Sequence, residues 1–217
     1  MTEDTTNFYQ MFPSAFPLYN IVRETGEESE IELKREIDDI LKNVLTNPLG
    51  NIISVDKHVM NRPGMKNLNL FFKEHIDNYV ENVLCPKNES LEFYITQSWI
   101  NSTRPDENHA AHIHPNSIVS GVYYFTDMCE FILHNPFVTE LFERNTLYIE
   151  SKGSFWNFSQ ETVRLVLKQN TLLLFPSWIK HEVPKNQSSS DRISLSFNVF
   201  VKGDLGDPET LDELRLR

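Results

Sequence analysis

Three histidines stand at spacings that suit one bound metal ion. In the stretch His109-Ala-Ala-His112-Ile-His114, residues two apart in a strand point to the same side, so His112 and His114 project together. Paired imidazoles are poor core residues because both ring nitrogens need polar partners, whereas a cation takes one nitrogen of each ring. His181 follows a later apolar strand, and a jelly roll returns late strands beside early ones. We therefore predict a metal site at His112, His114 and His181, with two surface histidines on an edge strand as the alternative.

A second candidate group begins the strand that follows these histidines. Arg192 and Ser194 share one face of an alternating segment, and an arginine that points inward without a partner is costly. An inward guanidinium fork beside a hydroxyl suits the carboxylate of a ligand. The alternative is that both residues face solvent, and that the buried set is Leu195, Phe197 and Val199.

Other histidines and the tryptophans are weaker candidates for function. His109 is one strand step out of phase with His112, so we expect it to face away from the site. His134 precedes Asn-Pro at a strand end and is expected to be a turn residue. Surface or packing positions are expected for His58 and His75, and packing positions for Trp99, Trp156 and Trp178.

The first 90 residues read as a short edge strand followed by two helices. Prolines interrupt the apolar segment 12–22, which limits it to a sheet edge. An amphipathic pattern predicts a helix over 29–47, with Ser29 as its N-cap and a stop at the following Pro-Leu-Gly. A second helix is predicted over 66–84.

From residue 92 the hydrophobic period changes to two, which indicates strands. Many short strands separated by turn residues favour a sandwich or a closed β architecture. We predict one α+β, mainly β domain over 1–217, with the helices of 1–90 packed on one outer face of a jelly-roll core at 91–202. The acidic tail 203–217 is expected to contain at most one helical turn. The predicted strands are 92–100, 108–114, 117–126, 130–134, 145–150, 163–168, 171–175, 179–184 and 192–201.

Composition excludes several classes of protein. The 217 residues carry a formal charge of −11, which repels phosphate backbones, so nucleic acid is not an expected partner. No apolar run has the roughly 18 residues that a membrane span needs, and the acidic Met-Thr-Glu-Asp start is unlike a secretory signal. The two cysteines, Cys85 and Cys129, cannot form a disulfide scaffold. A cytoplasmic location is expected.

Taken together, the motifs resemble the 2-oxoglutarate/Fe(II) oxygenase family, a small family common in marine bacteria and their phages. It belongs to the double-stranded β-helix dioxygenase superfamily, and the resemblance covers roughly residues 95–200. The order and spacing of the short motifs carry it. They are Trp99-Ile-Asn101, His112-x-His114-Pro-Asn-Ser, Ser120-Gly121-Val-Tyr-Tyr124, Phe175-Pro-Ser-Trp-x-x-His181 and Arg192-Ile-Ser194-x-Ser-Phe-Asn198.

The resemblance implies a double-stranded β-helix fold and roles for individual residues. His112 matches the first iron ligand and His181 the last. Arg192 and Ser194 resemble the pair that holds the distal carboxylate of 2-oxoglutarate. The resemblance also implies oxidative decarboxylation of 2-oxoglutarate to succinate and carbon dioxide, coupled to hydroxylation of a substrate. Further cosubstrate contacts are expected from Asn101, Tyr124 and Asn198.

His114 departs from the superfamily, which usually has Asp or Glu two residues after the first histidine. Three interpretations stay open: a three-histidine iron site with one more positive charge, a His114 outside the coordination shell, or a site without oxygenase activity. Nitrogen ligands also suit Zn, Ni or Co.

Two alternatives to this function are kept, one within metal enzymes and one outside them. A cupin-type three-histidine dioxygenase would work without 2-oxoglutarate, but the Arg192-x-Ser194 pair favours a 2-oxoglutarate enzyme. A metal-free jelly-roll binding or assembly module would have its interior packed around the histidines. For the enzyme we expect a small-molecule or peptide substrate, chosen in part by the insertion 136–161.

Overall fold

The computed structural model describes residues 18–24, 26–136 and 161–217. Their helices are α1 (Glu27–Ile40) and α2 (Lys66–Tyr79), with 3-10 turns at Val59–Asn61 and Pro63–Met65 and a π-helical turn at Val80–Leu84. The strands are β1 (Tyr19–Val22), β2 (Val44–Thr46), β3 (Ile52–Ser54), β4 (Glu92–Thr103), β5 (His109–His112), β6 (Val119–Tyr124), β7 (Cys129–His134), β8 (Thr162–Leu167), β9 (Thr171–Pro176), β10 (His181–Val183), β11 (Arg192–Leu205) and β12 (Leu214–Leu216).

These strands form two antiparallel sheets. The larger has the order β1-β9-β6-β11-β4-β3-β2, with β12 paired to β11, and the smaller has the order β5-β10-β7-β8. An apolar layer between them joins Tyr124 and Phe175 of the large sheet to Phe131 and Leu167 of the small one. Non-consecutive strands lie side by side in both sheets, which is the jelly-roll arrangement expected from the sequence.

The two helices cover the outer face of the large sheet, as predicted. Apolar residues of α1 and α2 share one core with the residues of β4, β6, β9 and β11 that point away from the small sheet. The ring of Phe72 in α2 stacks on Phe197 of β11 at 4.7 Å between centroids and lies 5.6 Å from Tyr123 of β6. Strand alternation therefore buries the Phe197 side of β11 against helices and leaves its other side for the space between the sheets.

The predicted helix over 29–47 was wrong at both ends. Helix α1 begins after Gly26, so Ser29 lies in its first turn, and it ends at Ile40. Residues Val44–Thr46 instead form β2, which pairs with β3. Because β3 pairs with β4 on its other side, β2 supplies hydrogen-bond partners to an otherwise open sheet edge, and that tertiary pairing overrides the helical pattern.

Most other elements agree with the sequence pattern. The segment 66–84 is helical throughout, as α2 and the π-helical turn. Of the early edge strand, only Tyr19–Val22 is present among described residues, where it pairs with β9 at the sheet edge. The expected helical turn in the tail is instead strand β12, which pairs with Gly203–Leu205. The predicted strand 145–150 lies outside the described residues. No helix in the described ranges has the length and apolar composition needed to cross a bilayer.

Substitution of Gly121 by alanine is expected to destabilise this fold, because the new Cβ would overlap the ring of Phe197. Overpacking of this kind lowers the free energy of unfolding by about 1–3 kcal/mol, which urea denaturation measures. In a Phe197→Leu background the clashing ring atoms are gone, so the same Gly121→Ala change should cost less. An equal cost in both backgrounds would contradict this packing.

Candidate active site

Three imidazoles meet where the ends of β5 and β10 adjoin. The antiparallel register places His181 of β10 opposite His112 of β5. Just beyond β5, the backbone N–H of His114 donates to the carbonyl of Ser177 (3.0 Å), which holds this loop beside the turn before β10. One nitrogen from each of His112, His114 and His181 lies within 4.8 Å of the others. The predicted grouping of these three side chains is therefore present.

Backbone carbonyls fix the tautomers of two of these rings. Nδ1 of His112 lies 2.7 Å from the carbonyl oxygen of Ala110, and Nδ1 of His181 lies 2.9 Å from that of Ile179. Because a carbonyl only accepts, both Nδ1 atoms carry the proton, and both Nε2 atoms present a lone pair. This is the arrangement by which a metal-binding histidine is oriented.

A divalent metal fits the separation of the His114 and His181 nitrogens. Nε2 of His114 lies 3.2 Å from Nε2 of His181. Metal–imidazole bonds are about 2.1 Å long, so two such ligands at right angles have nitrogens about 3 Å apart. Three nitrogen ligands on one side of the ion leave its other positions open.

His109 lies beside this group, contrary to the expectation that it faces away. Between His181 and Val183, β10 advances two residues while β5 advances three, from His112 to His109. This β-bulge adds one residue to β5 and returns His109 to the same face as His112. The two rings stack at 4.3 Å, and Nε2 of His109 lies 3.3 Å from Nδ2 of Asn47. Strict period-two alternation could not reveal the bulge.

A cavity of about 30 Å³ lies between the sheets at these histidines. All three imidazoles and both candidate carboxylate-binding residues, Arg192 and Ser194, line it. The remaining lining residues are Asn51, Trp99, Asn101, Thr103, His109, Val122, Tyr124, Phe131, Val183 and Ser196.

Arg192 is a buried cation, 8% exposed, so it does not face solvent. One of its terminal N–H groups donates to the carbonyl of Pro184 (2.8 Å), while its Nε has no partner among described residues. The hydroxyl of Tyr124 is likewise buried without a partner there. Ser194 lies on the same face of β11 and also lines the cavity. Two unsatisfied donors thus adjoin the space beside the histidines, at a cost that a ligand can offset.

The sequence missed part of the polar wall of this cavity. Trp99, expected to be a packing residue, lines the cavity, lies 5.9 Å from the ring of His114 and donates its indole N–H to Oδ1 of Asn101 (3.2 Å). Asn51, which the sequence did not single out, is fully buried and donates to the same oxygen (3.1 Å). No local signal distinguished Asn51, since its role depends on the pairing of β3 with β4.

Several predicted positions lie away from the cavity. Asn198 does not line it, and its Oδ1 accepts from Ser120 (3.1 Å). His134 ends β7, with Nε2 3.7 Å from a carboxylate oxygen of Glu182. Trp178, expected to pack, is 55% exposed. Trp156 and most of the insertion 136–161 lie outside the described residues.

Burial keeps the imidazoles neutral. Desolvation lowers the pKa of His181 to about 2, that of His109 to about 3 and that of His114 to about 4, and it lowers the pKa of His112 in the same direction. Neutral rings keep the lone pairs that a metal needs. Burial also lowers the pKa of Arg192 from its ordinary value. No Asp or Glu is among the described residues that line the cavity.

Solved structures show the same fold at low sequence identity. An oxidoreductase of the 2OG-Fe(II) oxygenase family from Burkholderia pseudomallei is 16% identical, with a TM-score of 0.52 over 84% of this chain and 83% of that one. HygX from Streptomyces hygroscopicus, with nickel, 2-oxoglutarate and hygromycin B bound, is 10% identical (TM-score 0.58; 85% and 82%). A Trichoplax adhaerens prolyl hydroxylase, in complex with a hypoxia inducible factor peptide fragment, is 13% identical (0.55; 84% and 83%). No curated protein sequence matches the chain.

The fold is thus the double-stranded β-helix of the 2-oxoglutarate oxygenases. A sequence model of the family described as "Putative 2OG-Fe(II) oxygenase" matches residues 97–198 of the chain, which supports that family. The match and the three-histidine group together indicate a non-haem oxygenase whose cofactor is Fe(II) and whose cosubstrate is 2-oxoglutarate. The cupin alternative, which lacked 2-oxoglutarate, is thereby set aside.

Acidification is expected to destabilise the metal-free protein through the buried histidines. Unfolded His181 takes up a proton near pH 6.5, whereas in the folded protein its pKa is about 2, so stability falls as the pH drops below 6.5. One such group contributes a slope of about 1.4 kcal/mol per pH unit. Urea unfolding with a chelator between pH 5 and 7.5 should therefore give a shallower slope for His181→Gln. A slope unchanged by His181→Gln would contradict the buried neutral state.

Proposed function

We propose that the protein hydroxylates a small molecule or a peptide, with Fe(II) held by His112, His114 and His181. Arg192 and Ser194 hold the distal carboxylate of 2-oxoglutarate. The observation that carries this proposal is the convergence of three imidazole nitrogens within 4.8 Å in a cavity that also exposes a buried, incompletely partnered guanidinium.

The environment of Arg192 supports its role as the carboxylate anchor. A guanidinium removed from water is costly unless an anion pairs with it, and no described carboxylate lines the cavity. Its Nε–H and remaining terminal N–H groups form a fork that matches a carboxylate. Burial raises the pKa of Tyr124 well above its ordinary value, so its hydroxyl stays protonated and can donate to the same ligand. The dianionic cosubstrate supplies the missing charge.

The residues of this chain prepare the site, and the bound groups supply the oxidation. Bound Fe(II) and 2-oxoglutarate would supply oxidation by dioxygen, in which one oxygen atom enters succinate as carbon dioxide leaves and the other enters a C–H bond of the substrate. The backbone carbonyls of Ala110 and Ile179 orient His112 and His181. Arg192 orients the cosubstrate by holding its distal carboxylate, at the end opposite to the one that binds the metal. Apolar side chains around the histidines, Val122, Phe131 and Val183, limit access of water to the reacting atoms.

His114 is proposed as the third ligand, in place of the usual carboxylate. Its ring nitrogen lies 3.2 Å from that of His181, and two lone pairs at that separation are favourable only with a proton or a cation between them. A third neutral ligand leaves the metal with one more positive charge than a carboxylate would. That charge favours binding of the dianionic cosubstrate.

Two of the compared structures support the proposal that the substrate is either a small molecule or a peptide. HygX was solved with hygromycin B and the Trichoplax prolyl hydroxylase with a peptide fragment, so proteins of this fold accommodate both kinds of ligand. The net charge of −11 disfavours nucleic acid as a substrate. Both described cysteines, Cys85 and Cys129, are free thiols, which supports a reducing, cytoplasmic location.

Anaerobic titration with Fe(II) is expected to show about one equivalent bound, and 2-oxoglutarate should then produce the metal-to-ligand absorption band of a chelated keto acid. His112→Ala should abolish both. Arg192→Ala should leave iron binding intact but weaken the binding of 2-oxoglutarate by about 30-fold or more, since it removes a buried charged partner. Arg164→Ala, at an exposed ion pair of β8, is the matched control. A wild-type protein that takes up no iron would overturn the proposal.

Replacement of His114 separates a ligand from a neighbouring residue. His114→Ala should weaken Fe(II) binding by about tenfold or more, because the third nitrogen is lost. His114→Asp should retain the metal and the absorption band, since it restores the usual carboxylate. Metal affinity by competition with a chelator, together with substrate-independent succinate release, measures both effects. Wild-type iron affinity in His114→Ala would place His114 outside the coordination shell.

A further inference from the structure

A one-way chain of hydrogen bonds runs from the β2–β3 hairpin into the cavity wall. Nδ2 of Asn47 donates to Oδ1 of Asn51 (2.9 Å), and Nδ2 of Asn51 donates to Oδ1 of Asn101 (3.1 Å). Nδ2 of Asn101 then donates to Oγ of Ser196 (2.9 Å). Each carboxamide accepts through its oxygen and donates through its nitrogen to the next residue.

Two groups that can only donate fix the direction of this chain. The backbone N–H of Leu49 donates to Oδ1 of Asn47 (3.1 Å), so the Asn47 nitrogen must point to Asn51. At the other end, the indole N–H of Trp99 donates to Oδ1 of Asn101 (3.2 Å). The Asn101 oxygen is thus held by two independent donors, Asn51 and Trp99, and its nitrogen faces Ser196 and the cavity.

Burial makes this orientation costly to reverse. Asn51 is fully buried and Asn101 is 6% exposed, so rotation of the Asn101 amide would set its N–H groups against two other donors without water to compensate. Oγ of Ser196 accepts a hydrogen bond from Asn101, which leaves the Ser196 hydroxyl proton available to a ligand. This wall therefore presents donors on the same cavity as Arg192.

Part of this chain of hydrogen bonds lies outside the region that the family model matches. That match begins at residue 97, whereas Asn47 and Asn51 belong to the hairpin joined to β4 through β3. The hairpin thus adds to the cavity a buried amide that the family motifs do not include.

We propose that Asn51 and Trp99 are positioning residues that hold the Asn101 carboxamide with its N–H group toward the ligand. The cavity wall is thereby set to accept a carboxylate. This inference rests on the proposed function, because the ligand concerned is 2-oxoglutarate. Either donor alone suffices to hold Asn101, so the loss of both has more effect than the sum of the single losses.

A double-mutant cycle tests this coupling with Asn51→Leu and Trp99→Phe, which remove one donor each and keep the approximate side-chain volume. The 2-oxoglutarate Kd is read from the absorption band of the anaerobic Fe(II) protein. We expect each single variant to raise that Kd about threefold or less and the double variant to raise it about 30-fold or more. Fe(II) affinity should stay within about twofold throughout, which a general loss of structure would not allow. Asn82→Leu, at an exposed position, is the control.

The outcomes separate this inference from the proposed function. If the wild-type protein gives no band with 2-oxoglutarate, the proposed function fails and the inference falls with it. If the wild-type protein binds 2-oxoglutarate and the double variant shows only the product of the single effects, the inference alone is overturned.

A single variant decides the question if the double variant does not fold. Asn51→Asp has nearly the same shape but places an acceptor against Oδ1 of Asn101. We expect this variant to weaken the binding of 2-oxoglutarate by about tenfold or more. Asn82→Asp adds the same charge at an exposed position and should remain within about twofold of the wild type. Unchanged affinity in Asn51→Asp would overturn the proposal.

Discussion

The two-sided burial of β11 is the constraint on which the rest of the structure depends. This strand pairs with β4 on one edge and with β6 on the other. One face packs Leu195, Phe197 and Val199 into the core shared with the helices. Strand alternation then requires Arg192, Ser194 and Ser196 to face the cavity. A one-residue slip would exchange the two sets and turn the guanidinium away from the cavity toward the helix-covered face. The helices therefore set the position of Arg192 by fixing the register of the strand beneath them.

The three histidines at the other end of the site are positioned by different interactions. They come from the small sheet and an adjoining loop, where β5 pairs with β10 across a bulge. Backbone carbonyls of β5 and of the turn before β10 orient two of the rings. Because the large sheet fixes Arg192 and the small sheet fixes the histidines, the distance between the proposed cosubstrate anchor and the proposed metal ligands depends on how the sheets pack. The apolar layer of Phe131, Phe175 and Tyr124 determines that packing.

Sequence alone predicted the parts of this site that depend on local periodicity. The shared face of Arg192 and Ser194 follows from alternation within one strand, and the grouping of His112 with His181 follows from jelly-roll topology. The orientation of His109 was predicted wrongly because a bulge shifts the alternation of side chains by one residue, and residue propensities do not reveal a bulge. Asn51 was missed because its position depends on tertiary pairing between β3 and β4. Strand β2 was missed because it lies within an apparently helical sequence pattern. The sequence-based prediction failed where a position depends on a bulge or on an unrecognised strand pairing, and it succeeded where short motifs in order carry the chemistry.

The electrostatics of the cavity connect the two ends of the site. Described lining residues contribute a cation at Arg192, neutral imidazoles and hydrogen-bond donors, with no carboxylate. A metal ion bound by three neutral ligands keeps its full double positive charge, and in a weakly polar cavity that charge and the guanidinium disfavour each other unless an anion lies between them. A dianion that contacts both resolves the repulsion and also satisfies the unpartnered Arg192 Nε. Metal and cosubstrate should therefore stabilise each other's binding more strongly here than in a site where a carboxylate ligand has already reduced the charge of the metal.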